Sequence, residues 1–175
     1  MAISGSLRAA SSNGTIVRAA VRLAPAGIRV EAYVGLSSLP HFNPDLDREL
    51  GDARLPAPVR ALRQQLAAAD ALVISSPEYA HGVPGSLKNA LDWLVGGVEM
   101  VEKRVALWNT APHAVHAQAS LSETLRTMSA VLVTEASLSM SLGGHTDDAA
   151  VAADPVIAPQ LSGALDALRR ATRAS

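Results

Sequence analysis

ALVISSPEYAHGVPGSLKNALDWLV, residues 71–95, decides the fold. Ala71-Leu72-Val73-Ile74 is a continuous apolar run, too short for a helix and followed at once by Ser75-Ser76-Pro77. Such a run is the signature of a central parallel strand covered on both faces. Residues 84–95 then predict a helix, with Pro84 in its first turn and Leu87, Leu91 and Leu94 on one face. A strand that passes through a stiff loop into a helix is the first half of a right-handed parallel crossover.

The same alternation continues in both directions. Residues 1–4 read as the end of a strand that has lost some of its beginning, running straight into Gly5-Ser6. Residues 13–24 predict a helix with Ile16, Val17, Ala20, Val21 and Leu23 on one face, ended by Pro25-Ala26-Gly27. Residues 28–34 alternate Ile28, Val30, Ala32 and Val34 against Arg29, Glu31 and Tyr33, a strand with one exposed side. A long Pro/Asp-rich loop, 35–56, follows. Residues 58–69 predict a helix with Val59, Leu62 and Leu66 inward.

Beyond the central segment come a strand at 104–108, a helix at 116–128 through Leu121 and Leu125, and a fifth strand at 130–134. Residues 138–153 are Gly/Asp/Ala-rich and weakly patterned. The last helix carries Leu161, Leu165 and Leu168. It begins at Pro159, or earlier with Asp154 as cap and Pro155 in the first turn; both readings stay open. Five strands alternating with five helices predict an α/β domain over residues 1–175, a parallel sheet wrapped on both faces. Ligands in such sheets bind outside the carboxyl ends of the strands, here 4–13, 75–85 and 109–118.

Composition narrows the function. The 175 residues are 49% hydrophobic, enough for a real core. Fifteen Lys and Arg against 16 Asp and Glu leave no basic excess for a nucleic-acid backbone or a membrane surface. Aromatics are 3%, too few for base-stacking platforms. The absence of cysteine excludes thiolate catalysis, disulfides, Fe–S clusters and cysteine zinc sites. No apolar stretch reaches the roughly 18 residues of a membrane span. The start carries no basic segment followed by an apolar run, as a secretory signal would. A soluble, cytoplasmic protein is the expectation.

Three segments carry chemistry. Gly5-Ser6-Leu7-Arg8-Ala9-Ala10-Ser11-Ser12-Asn13 joins a strand to a helix, with three hydroxyls, one cation and the open amides of a helix N-terminus. That is an anion site suited to a phosphate monoester. It has neither the Walker A spacing nor G-x-G-x-x-G, and an ordinary helix cap with a surface arginine is the plain alternative. Residues 75–93 hold two prolines and two glycines within nine positions, a loop stiff enough to aim main-chain groups at a flat heteroaromatic ring. Within it Trp93 reads as core, and Lys88 with Asp92 as an i,i+4 pair. Asn109 and Thr110 offer hydrogen bonds to a ring edge. His113 and His116 have i,i+3 spacing but no nearby carboxylate, so no metal site is assigned. His145-Thr146-Asp147-Asp148 reads as a solvated loop, and no G-x-S-x-G elbow supports a hydrolase.

ISGSLRAASSN, LPHFNPDLD and SSPEYAHGVPGSLKNALDWL, in this order and spacing, resemble the NADPH-dependent FMN reductases, which include quinone, chromate and azo-dye reductases. The resemblance covers about the first two-thirds of the chain. It implies a flavodoxin-like three-layer sandwich with strand order 2-1-3-4-5. It also implies bound FMN, NADPH or NADH as co-substrate, a small acceptor (free flavin, quinone, chromate or azo compound) and a homodimer or homotetramer. By carry-over Ser6, Arg8, Ser11, Ser12 and Asn13 hold the phosphate, with Leu7 in the same cofactor-binding loop. Pro77, Glu78, Tyr79 and Ala80 lie along the isoalloxazine, and Asn109 and Thr110 touch its other side. The reaction is then ping-pong hydride transfer that needs no catalytic side chain.

Two departures from the pattern stand out. Ala80 replaces a frequent asparagine, and Ala111-Pro112-His113 replaces a glycine-rich loop. The alternatives from other classes are a flavodoxin-like electron carrier or flavin-binding regulatory module, against which the charge of −1 argues, and a phosphate-binding α/β protein without flavin.

Overall fold

The computed structural model describes residues 1–47 and 55–173. At the centre of the sheet lies β3 (Ala71–Ser75), parallel to β1 (Ala2–Ser4) on one side and β4 (Arg104–Asn109) on the other. With β2 (Ala32–Tyr33) and β5 (Val131–Leu132) at the edges, the order is β2-β1-β3-β4-β5, all parallel. The helices are α1 (Ser12–Leu23), α2 (Ala57–Ala68), α3 (Gly85–Val95), α4 (His116–Thr127), α5 (Asp148–Ala153) and α6 (Ile157–Arg173).

Period-two alternation along the strands divides the core. Ala2, Val73, Ala106 and Trp108 face α1, α5 and α6. Ile3, Leu72, Ile74, Val105 and Leu107 face α2, α3 and α4. This is the flavodoxin-like three-layer sandwich, in the strand order expected.

Four elements differ from the sequence reading. The strand expected at 28–34 pairs only over Ala32–Tyr33, because β1 begins at Ala2 and residues 28–30 have no strand beside them. The fifth strand, expected at 130–134, is divided: after β5 a 3-10 turn at Thr134–Ala136 intervenes, and β6 (Leu138–Ser139) resumes pairing with β4 at Trp108 and Asn109. Side chains cause the break. Leu107 N–H donates to Ser137 Oγ at 3.1 Å and Trp108 Nε1 to the Ala136 carbonyl at 2.9 Å, so β4 meets the turn instead of a strand.

The weakly patterned 138–153 stretch also contains α5, capped by Asp147 and packed on α1 through buried Val151. In α1, Val21 is 43% exposed and Ala19 takes the inward place expected of it. For α6 the earlier start is the one observed: Asp154 Oδ1 accepts the amides of Val156 and Ile157 at 2.8 and 2.9 Å.

The long loop is clamped onto α3. Asn89 Oδ1 accepts Phe42 N–H at 2.8 Å, and both Asn89 Nδ2 and Trp93 Nε1 donate to the Pro40 carbonyl, at 2.9 and 2.8 Å. Trp93 is fully buried against Phe42, Leu55 and Val59. The spacing of Asn89 and Trp93, one helical turn apart, puts both on the face that meets the loop. Residues 48–54 of the expected loop lie outside the described residues.

Candidate functional site at the switch point of the sheet

The crossover from β1 leads to α1 on one face, and that from β3 leads to α3 on the other. Between the carboxyl ends of these two strands the connections diverge and leave a crevice. Gly5 sits at its base, its N–H donating to the Ser75 carbonyl at 2.8 Å. A Cβ there would lie 2.9 Å from Leu87 Cδ2 and 3.0 Å from Ser76 Oγ, so a larger residue would push the two loops apart.

Residues 6–10 form an exposed turn. Ser6 N–H donates to Ser4 Oγ and Arg8 N–H to Ser6 Oγ, both at 3.3 Å. Arg8 is exposed and makes no ion pair with any described residue. Leu7 is 57% exposed. Ser11 caps α1, accepting Gly14 N–H at 3.4 Å, while the remaining first-turn amides have no intrahelical acceptor. Ser12 Oγ lies 2.9 Å from Thr110 Oγ1. Asn13 is buried, and its Oδ1 accepts from Ser75 Oγ at 2.8 Å and Thr110 Oγ1 at 3.4 Å. Ser6, Leu7, Arg8 and Ser12 therefore face solvent at the crevice, whereas Ser11 and Asn13 shape it from within. Ser75 was not singled out from the sequence. The signal was there: a hydroxyl closing an apolar strand must find a buried partner.

After β3 the chain makes a two-residue hairpin. Tyr79 and Gly82 exchange both main-chain hydrogen bonds, at 3.1 and 2.9 Å. Ala80 and His81 both take positive φ, 49° and 61°, a geometry that Asn-Gly adopts with little strain. Ala80→Asn is therefore expected to raise stability by about 0.5–1 kcal/mol in thermal or urea unfolding. The N–H groups of Glu78 and Ala80 have no acceptor among the described residues, and Tyr79 is 57% exposed. Pro77 sets the entry to this turn, and Ser76 Oγ donates to its carbonyl at 3.0 Å.

The Glu78 side chain does something the sequence did not suggest. It accepts Ala117 N–H at 2.8 Å, at the N-terminus of α4. That hydrogen bond, helped by the His116 amide and the charges of His116 and His81, holds the Glu78 carboxyl below its ordinary range. A depressed carboxyl stabilises the fold above its unfolded-state pKa, and this contribution is lost as pH falls through the folded value. Glu78→Gln should therefore be less stable than the parent at neutral pH and converge with it in acid, a comparison made by urea titration across pH. The imidazoles of His81 and His116 stack 4.1 Å apart, so His116 pairs with His81 and not with the exposed His113. Among the described residues no group of three His, Cys, Asp or Glu is placed to hold a metal.

The third loop is braced by Asn109. Its Nδ2 donates to the Ala114 carbonyl at 3.1 Å and its Oδ1 accepts Ala111 N–H at 2.9 Å. Asn109 thus rigidifies the Ala111-Pro112-His113 turn, and Thr110, bonded to Ser12 and Asn13, ties it to the first loop. The Lys88–Asp92 pair forms as expected. The 145–148 segment is more than a solvated loop: Asp148 pairs with Arg18 and Arg22, and His145 Nε2 lies 3.0 Å from Asp154.

A guanidinium without an acid partner among the described residues, hydroxyls and open helix amides form a set of donors of the kind that meets an anion. Beside it, a hairpin with two unused amides offers hydrogen bonds to a planar polar edge. Together these define a doubly wound, flavodoxin-like protein with a donor-lined loop at the β1/β3 switch point.

The chain belongs to the NADPH-dependent FMN reductase family, whose model matches residues 1–145. It is 44% identical over 90 residues to the quinone reductase of Escherichia coli K12, an alignment covering 51% of this chain and 46% of that protein. It is 41% identical over 93 residues to an NAD(P)H-dependent FMN reductase of Pseudomonas aeruginosa, covering 53% and 48%. The chain spans about half the length of the curated relatives it matches. Among solved structures, FerB of Paracoccus denitrificans, a flavoenzyme NAD(P)H:(acceptor) oxidoreductase, superposes with a TM-score of 0.74 at 30% identity, covering 99% of this chain and 96% of that one. An apo NADH:FMN oxidoreductase shares the fold, at TM-score 0.64 and 22% identity over 97% and 87% of the two chains.

Proposed function

We propose that this chain is an FMN-dependent NAD(P)H oxidoreductase that passes hydride from NAD(P)H to a small acceptor, such as free flavin, a quinone, chromate or an azo compound, in a ping-pong sequence. The observation that carries this reading is Arg8, without an acid partner among the described residues, beside the open N-terminus of α1. When bound, FMN supplies a ring that accepts and returns two electrons, so the protein needs no nucleophile of its own.

The chain's residues bind and orient. Arg8, the hydroxyls of Ser6 and Ser12 and the first amides of α1 neutralise the phosphate, with Leu7 lying over the loop. Ser11 and Asn13 keep those groups in place, Ser11 by capping α1 and Asn13 by tying it to Ser75 and Thr110. Pro77 and the hairpin present the amides of Glu78 and Ala80 to the polar edge of the ring, and exposed Tyr79 shields it from water. Asn109 and Thr110 set the opposite wall. No side chain is assigned as general acid or base. The exposed Val95, Val98 and Val101, at the end of the Trp93 helix, give apolar surface for a homodimer or homotetramer.

Titration with FMN, followed by NADPH and NADH oxidation against a panel of acceptors, tests the reading. A yellow one-to-one complex with steady turnover is expected. A protein that stays colourless, or that binds FMN without turnover, overturns it.

A further inference from the structure

Helix α4 starts without a cap of its own. Val115 stands at the N-cap position with no polar side chain, and the first turn carries no acid. The acceptor comes from 39 residues away: Glu78 Oε2 takes Ala117 N–H at 2.8 Å. A carboxylate is favoured there by the open amides and by the helix dipole. His81 makes a second contact, its imidazole stacked on that of His116 with centroids 4.1 Å apart and planes 27° apart. Both contacts fall on consecutive residues, His116 and Ala117. The first turn of α4 therefore holds the chain on either side of Tyr79.

What is held is a strained turn. Ala80 and His81 take φ of 49° and 61° without being glycine, and the hairpin closes on the two main-chain hydrogen bonds between Tyr79 and Gly82. The same helix start is also tied to the third loop. Asn109, buried at the end of β4, donates to the Ala114 carbonyl at 3.1 Å, and Ala114 and Ala117 are both buried. A continuous path thus runs from β4 through Asn109, Ala114 and the first turn of α4 to Glu78 and the hairpin. The loops after β3 and β4 are fixed to one helix end.

We propose that Glu78 and His116 are positioning residues for the flavin ring: they fasten the 77–82 turn to α4, so that the amides of Glu78 and Ala80 stand ready for the ring's polar edge at the spacing from the Asn109 loop that α4 sets. The inference rests on the proposed FMN-dependent activity and deepens it. Glu78 serves the ring through its N–H and the hairpin through its carboxylate. Without that carboxylate, Ala80 and His81 are free to leave the left-handed region, which non-glycine residues disfavour. A turn in its ring-ready geometry for only part of the time binds the ring more weakly by that fraction. Arg8, in the separate loop after β1, acts on the phosphate alone.

The test compares affinities for FMN and for riboflavin, which has the ring and lacks the phosphate. Glu78→Ala is expected to weaken both by about tenfold, as for a turn that is competent about a tenth of the time, whereas Arg8→Ala weakens FMN alone. Glu78→Gln keeps a carbonyl acceptor for Ala117 N–H and should recover most of the loss. His116→Ala, at an exposed side chain, should weaken both ligands less and add little to Glu78→Ala, because the two act through one fastening. In the unliganded Glu78→Ala protein the Tyr79 and Gly82 amides should exchange with deuterium about tenfold faster, while those of β3 and β4 exchange as in the parent. A parent that takes up neither flavin removes the oxidoreductase reading and this inference with it. A parent that binds both overturns this inference alone if Glu78→Ala binds each as tightly, if Glu78→Gln is no better than Glu78→Ala, or if β3 and β4 lose protection along with the hairpin.

Discussion

Trp93→Ala is expected to cost about 3–5 kcal/mol of stability, a fall in Tm on the order of 10 °C in a thermal melt. Three losses combine. The indole is fully buried, its ring meets Phe42 edge-on at 5.0 Å between centroids, and its Nε1 holds the Pro40 carbonyl. The cavity left behind borders Leu55 and Val59, so the outer half of α2 loosens with the loop. Trp93→Phe separates the parts. It keeps most of the burial, leaves Asn89 on Pro40, and should cost no more than about 1–2 kcal/mol. Equal destabilisation by the two variants would show that the hydrogen bond, and not the packing, holds the loop.

Arg8→Ala is expected to weaken FMN binding about 10- to 100-fold, the loss of one or two charge-assisted hydrogen bonds to a phosphate at an exposed site. Turnover of the fraction that remains loaded should stay near that of the parent, because the proposed role of Arg8 is at the phosphate and Arg8 lies outside the 79–82 hairpin. The apo protein should melt at an unchanged temperature, since the side chain is exposed and makes no ion pair with the described residues. Arg8→Lys should recover part of the affinity through charge alone. Unchanged FMN affinity in Arg8→Ala removes this residue from the cradle, and a drop in Tm of the apo protein would assign it a structural role instead.

Much of the fold is legible in the sequence. The apolar run at 71–74 announced a strand buried on both faces, and the prolines and glycines after it announced a rigid turn. Leu87, Leu91 and Leu94 face the core as their spacing requires. The Gly5–Asn13 segment read as an anion site from its residue types alone, because hydroxyls, a cation and a helix start are local features. Less legible are the side-chain partners of Ser11, Asn13, Glu78 and Asn109: Ser11 meets Gly14, Asn13 meets Ser75 and Thr110, Glu78 the amide of Ala117, and Asn109 its own loop. Those partners lie as far as 97 residues away, and no periodicity reports them.

The sequence by itself determined the parallel sheet, its two-sided cover and the hydroxyl- and cation-bearing loop at the start of α1, because hydrophobic period and helix-start chemistry act over a few residues. Tertiary structure alone decided where strands stop. The divided fifth strand depends on Ser137 and Ala136 meeting Leu107 and Trp108, and the short β2 depends on how far β1 runs beside it. A strand exists only where a neighbour supplies its hydrogen bonds, and the neighbour's position is a property of the folded chain.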